Sequence, residues 1–144
     1  EAAATFDWIQ SVDRLKLIEP LARHRSADAP PLNLLIQVNI DDEEAKSGCR
    51  PEEVAGLAQA IAGWPSLRLR GLMAIPAPHP DLALRRASFR AMRMLFEATR
   101  ANHREVDTLS MGMSEDFELA IAQGATMVRI GTALFGPRSQ ASGA

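Results

Sequence analysis

Residues 108–130 read TLSMGMSEDFELAIAQGATMVRI, and the division of that run into elements decides the fold. Thr108 to Met113 reads as a strand. Ser114 follows as a helix N-cap, and Glu115 and Asp116 put negative charge where the helix dipole favours it. Phe117, Ala120 and Ile121 recur at helical spacing and share an inner face. Gly124 closes the helix, and Met127 to Ile130 (MVRI) forms a second strand. Strand, helix, strand with no hairpin turn is the unit of a parallel sheet.

The same alternation runs back toward the start of the chain. Phe89, Met92, Leu95, Phe96 and Thr99 mark a helix from Leu82 to about Asn102. Ahead of it, Pro76-Ala77-Pro78-His79-Pro80 stops a strand spanning Leu67 to Ile75 (LRLRGLMAI). Val54, Leu57, Ala58 and Ile61 line one face of a helix that opens near Pro51 and ends at Gly63. Leu34 to Ile40 (LLIQVNI) is nearly all apolar and β-branched, as suits a strand covered on both faces. Asp13 reads as the N-cap of a helix over RLKLIEPLARHR, which Pro20 would kink, and Phe6 to Val12 reads as the first strand. Five strands alternating with four helices predict an α/β fold, a parallel sheet covered by helices.

Composition narrows the function. The chain has 144 residues, 47% of them hydrophobic and 24% charged, as in ordinary globular proteins. Sixteen basic residues against eighteen acidic ones leave a formal charge of −2, without the basic excess of a polyanion binder. No apolar run approaches the ~18 residues that span a bilayer. The single cysteine, Cys49, cannot form an internal disulfide, and a reducing cytoplasm is the expected compartment. The predicted partners therefore include neither nucleic acid nor membrane.

In parallel α/β folds ligands meet the C-terminal ends of the strands. Two ends stand out, Ser110-Met111-Gly112-Met113-Ser114 and Arg129-Ile130-Gly131-Thr132. Each joins a glycine to hydroxyl side chains and backbone N–H groups. Such clusters serve either as ordinary turns and caps or as paired loops around a phosphate. Arg129 lies within an apolar strand, where a guanidinium needs an acceptor. A structural salt bridge would satisfy it; its nearness to Gly131 and Thr132 favours a ligand pocket.

Other patterns do not hold together. Gly112-Met113-Ser114-Glu115-Asp116 begins like a nucleophile elbow, but Asp116 stands where a second glycine is needed. His24, His79 and His103 are far apart, and lone Cys49 adds no metal-ligand spacing. No metal site and no catalytic residue is predicted. Arg85, Arg86, Arg90, Arg93, Arg100 and Arg104 make one helix basic, which reads as a solvated outer face or, less simply, a surface for an acidic partner. The acids Asp41 to Glu44 read as a solvated loop.

Taken together, FDWIQSVDR (Phe6 to Arg14), LLIQVNIDDEEAKSG (Leu34 to Gly48), LRLRGLMAIPAP (Leu67 to Pro78), DTLSMGMSEDFELAI (Asp107 to Ile121) and ATMVRIGTALFGPR (Ala125 to Arg138) resemble the pyridoxal phosphate homeostasis proteins of the YggS/PROSC type. That family is related in fold to the N-terminal barrel of alanine racemase. The resemblance covers nearly the whole chain. It implies a (β/α)8 barrel that binds pyridoxal 5′-phosphate at its C-terminal strand ends. Carried over residue by residue, Ser110, Gly112 and Ser114 in one loop and Gly131 and Thr132 in the other would hold the phosphate. Arg129 would face the pyridine nitrogen, and Met73 would give an apolar wall. A guanidinium does not readily give up a proton, so the ring nitrogen would stay unprotonated and the cofactor would be a poor electron sink. This fits a non-catalytic carrier and regulator of the cofactor. The resemblance also implies a monomer for the full-length family.

The resemblance is incomplete in one respect. The family's Schiff-base lysine lies in a V-S-K-T-K-like stretch ahead of a G-E-N-like strand, and neither occurs in these 144 residues. Lys16 falls in a helical region and Lys46 in the K-S-G loop. The expectation is therefore an incomplete barrel of about five βα units, strands four to eight, over residues 1–138, followed by a flexible tail over 139–144. Such a piece would bind the cofactor weakly and without a covalent bond, and could self-associate through open barrel edges. The alternative is a barrel enzyme of racemase or isomerase type acting on a phosphorylated metabolite. It needs an acid/base pair at the strand ends, where only Asp41 and Asp116 are at hand.

Overall fold

The computed structural model describes residues 1–136; the predicted tail over 139–144 lies outside the described residues. Five strands form one parallel sheet in the order β1-β2-β3-β4-β5. They are β1 (Trp8–Val12), β2 (Leu32–Val38), β3 (Leu67–Ala74), β4 (Thr108–Met113) and β5 (Met127–Arg129). Helices α2 (Ile18–His24), α3 (Val54–Ala62), α4 (Leu82–Asn102) and α5 (Phe117–Ala122) make the four crossovers. Two short helices, α1 (Ala2–Thr5) and α6 (Thr132–Phe135), stand outside the predicted alternation. Among the described residues no helix is long and apolar enough to cross a membrane.

The core lies between the sheet and the helices. Leu34, Ile36, Leu69, Leu72, Leu109 and Met111 pack there against Val54, Leu57, Ile61, Phe89, Met92 and Phe96. The helical residues are those whose 3.6-residue spacing marked an inner face, and truncating a buried Phe or Leu among them costs about 2–5 kcal/mol. α4 opens where Asp81 accepts a hydrogen bond from the Ala83 N–H at 2.7 Å.

Several boundaries differ from expectation. β2 starts earlier and ends at Val38, because the Asn39 side chain turns the chain out of the sheet. Its amide donates to the Glu43 carbonyl at 2.8 Å and accepts from the Glu43 N–H at 3.1 Å. Asp13 caps no helix. It pairs with Arg14 at 2.6 Å and accepts from the Gly48 N–H at 3.3 Å, tying the end of β1 to the loop after β2. A 3-10 turn, Leu15–Leu17, leads into α2, so Pro20 lies within the first turn of α2 and produces no kink. Ser114 likewise does not cap α5, whose N-cap is Asp116.

The opposite face of the sheet is concave. Gln37, Met73, Ser110 and Met127 pair in register and form one row across β2 to β5. Strands at the two edges of a flat five-stranded sheet would stand four spacings, about 19 Å, apart. Yet Gln10 on β1 reaches Ser110 on β4 at 2.8 Å and Met127 on β5 at 3.3 Å. The sheet is therefore curled into a trough, a half-barrel with its helices outside.

Candidate functional site

The C-terminal strand ends enclose a cavity of about 530 Å³. Ile75 and Pro76 line it from the end of β3, Met113, Ser114 and Asp116 from β4, Thr132 and Ala133 from β5, and Lys46 from the loop after β2. The Ser114 hydroxyl accepts from the Ala133 N–H at 3.2 Å, so the two Ser/Gly/Thr loops meet at this point. That long-range bond replaces the expected capping of α5. Lys46 carries its ammonium against Glu43 at 2.7 Å. Sequence reasoning left Lys46 out of the site; its place in the K-S-G loop behind a strand end was the available signal.

The two carboxylates that the sequence offered as an acid/base pair, Asp41 and Asp116, both hold structural hydrogen bonds. Asp41 accepts from the Ala77 N–H at 2.7 Å and from the Ser88 hydroxyl, fastening the β2 loop to the β3 loop and α4. Asp116 accepts from the Met113 N–H at 2.8 Å. Glu115 lines the cavity beside Asp116, and Asp41 is not among its lining residues. The Cys49 thiol is buried, which with the nearby Glu53 charge pushes it up to about 12. A thiol held protonated is a poor nucleophile.

Beneath the cavity, within the trough, lies Arg129. Its Nη1 donates to Ser110 Oγ at 2.6 Å and its Nη2 to the Ala74 carbonyl at 2.8 Å. Among the described residues no carboxylate comes within ion-pair distance of it. Burial pushes the guanidinium down from its ordinary value, against a smaller opposing pull from Asp116. The structural salt bridge is absent here, and a desolvated cation held by neutral groups is suited to an electron-rich ligand. Two of its five N–H donors are engaged in those bonds.

The predicted residues thus separate into levels. Ser114 and Thr132 line the cavity, with Gly131 beside them and open space where its Cβ would be. Ser110 and Met73 are buried and adjacent in the row on the concave face, with Arg129 bonded to Ser110. Gly112 also meets a packing need. Its φ is +95°, and an added Cβ would come 2.6 Å from the Ala120 Cβ and 3.1 Å from the Phe117 Cα. The glycine there lets α5 pack on β4.

The sequence of residues 1–139 matches the family described as alanine racemase, N-terminal domain. The chain belongs to that family. Among curated members of known name, the pyridoxal phosphate homeostasis protein of Pseudomonas aeruginosa is 52% identical over 136 residues, which is 94% of this chain and 58% of that protein. The protein of the same name from Escherichia coli K12 is 51% identical over the same shares. The chain thus spans about 58% of the length of those relatives. Among solved structures, PipY of Synechococcus elongatus with PLP bound superposes with a TM-score of 0.78 at 34% identity, over 94% of this chain and 63% of PipY. Alanine racemase of Corynebacterium glutamicum, at a TM-score of 0.59 and 22% identity over 81% of this chain and 33% of its own, shares the fold.

Proposed function

We propose that this domain binds pyridoxal 5′-phosphate at its C-terminal strand ends as part of a pyridoxal phosphate homeostasis protein, carrying the cofactor without turning over a substrate. The observation that carries this reading is the meeting of the two Ser/Gly/Thr loops above Arg129, a cation with no carboxylate partner among the described residues. The names of the relatives and the cofactor of PipY support it. The Ser114 and Thr132 hydroxyls and the Gly131 and Thr132 N–H groups would donate to the phosphate, and the Lys46 ammonium, paired with Glu43, stands at the cavity wall. Met73 and Ile75 would supply apolar surface. When bound, the cofactor supplies an electron-withdrawing pyridine ring and an aldehyde that condenses with amines.

Arg129 would donate to the ring nitrogen and leave it without a proton, which suits a carrier better than a catalyst. Gly112 and Ser110 belong to this proposal indirectly, Gly112 through the placement of α5 and Ser110 through Arg129. A dialysis titration followed by cofactor absorbance tests it. Pyridoxal, which lacks the phosphate, should bind at least about tenfold more weakly than pyridoxal 5′-phosphate, and Thr132→Val should weaken the phosphate ester by about tenfold or more. Equal binding of the two compounds would refute the phosphate cradle. Racemisation of free alanine by the loaded chain would refute the carrier role.

A further inference from the structure

We infer that Gln10 is a positioning residue that sets Arg129 through Ser110; its bearing on a ligand rests on the reading of Arg129 as a cofactor-facing group. A guanidinium has only donors, so the 2.6 Å contact between Arg129 and Ser110 has Nη1–H donating to Oγ. The hydroxyl then needs an acceptor for its own proton. Ser110 is fully buried, so bulk water does not reach it. Gln10 Oε1, at 2.8 Å, takes that proton. The other end of the Gln10 amide, Nε2, donates to Met127 Sδ at 3.3 Å. Turning the amide over would set an NH2 group against Ser110 and leave the hydroxyl proton with no partner. The inability of Arg129 to accept therefore fixes the polarity of the whole chain of bonds, Arg129 to Ser110 to Gln10.

Position follows from polarity. A planar cation held only at the Ala74 carbonyl can swing about that contact; the second bond, to Ser110, stops it. Gln10 lies on β1 and Arg129 on β5, the two edges of the sheet, so the curl of the trough is what brings the brace to the arginine. It also commits the Ser110 proton, so Ser110 serves a ligand by holding Arg129 and not by donating to a phosphate.

The test needs no ligand in its first arm. In 15N NMR spectra of the full chain, the Arg129 Nη1 and Nη2 groups should give separate signals through restricted rotation about the Nε–Cζ bond. Gln10→Leu, similar in size but without an acceptor, should speed that exchange by about tenfold or more. Gln10→Glu, which still accepts from Ser110, should keep it slow. If Gln10→Leu does not fold, Gln10→Asn withdraws the amide by one methylene and should act in the same direction. Adding either change to Ser110→Ala should alter nothing further. Unchanged exchange in Gln10→Leu or Gln10→Asn, or an equal effect with and without the Ser110 hydroxyl, would overturn the inference. In the second arm, pyridoxal 5′-phosphate should bind Gln10→Leu about fivefold more weakly than the parent chain, and Gln10→Glu should restore binding toward the parent value. Faster exchange in Gln10→Leu, together with a parent chain that binds no cofactor, would uphold the brace and refute the cofactor reading alone.

Discussion

Asp107 shows at the residue scale how the sheet depends on pH. The Arg70 guanidinium binds its carboxylate and, with the Thr108 hydroxyl at 2.7 Å, holds it below the ordinary value of 3.8 despite partial burial. Arg70 also stacks over Trp8 at 4.8 Å, so the pair links the N-terminal ends of β1, β3 and β4. A depressed carboxyl means that the unfolded chain binds more protons in that window, so stability rises with pH. The contribution is present above 3.8 and is lost as pH falls through the lowered folded value. Asp107→Asn should therefore lower the urea midpoint at neutral pH, with the gap to the parent closing below 3.8. A gap that stays constant down to about pH 2 would contradict this assignment. Single residues were legible in the sequence where their chemistry made a demand. Arg129 in an apolar strand had to find acceptors, and it did. Gln10 made no such demand; its partner Ser110 lies a hundred residues away.

Elements were legible where the signal was periodic and local. α4 runs over Leu82–Asn102, as its apolar spacing required, and β4 occupies Thr108–Met113. Caps were misread where a distant group competed for the same side chain. Asp13 turns to Arg14 and Gly48, and Ser114 to Ala133, because those loops come within reach once the strands are paired. Gly112, read from the sequence as part of a ligand loop, also meets a demand of helix packing. Gly112→Ala should cost about 2–4 kcal/mol in urea denaturation, from a left-handed backbone and a Cβ forced into α5. A loss below about 0.5 kcal/mol would mean that α5 gives way freely. α5 should move before β4 does, so the far-ultraviolet spectrum should change little at neutral pH without denaturant.

The molecule as a whole is a curled sheet whose middle is shielded better than its edges. β2 and β3 have strand neighbours on both sides, while β1 and β5 have one each. Leu34, Leu35, Ile36 and Leu72 are fully buried, whereas every residue of β5 is only half-buried. Native-state hydrogen exchange should therefore find the amides of β2 and β3 slowest and those of β5 among the first of the strands to exchange. Equal protection across all five strands would point to shielding of the edges. The alternation of strand and helix, the parallel sheet and the strand ends that carry hydroxyls and glycine could be read from the residues alone. Those features rest on period and turn chemistry within a few residues of each other. The folded sheet was needed to bring Lys46 to the cavity, Asp41 to Ala77 and Ser88, and Gln10 to the Ser110 hydroxyl that Arg129 binds. Each of these depends on how far the sheet curls, and curvature arises from the packing of all five strands together, which no local stretch of sequence records.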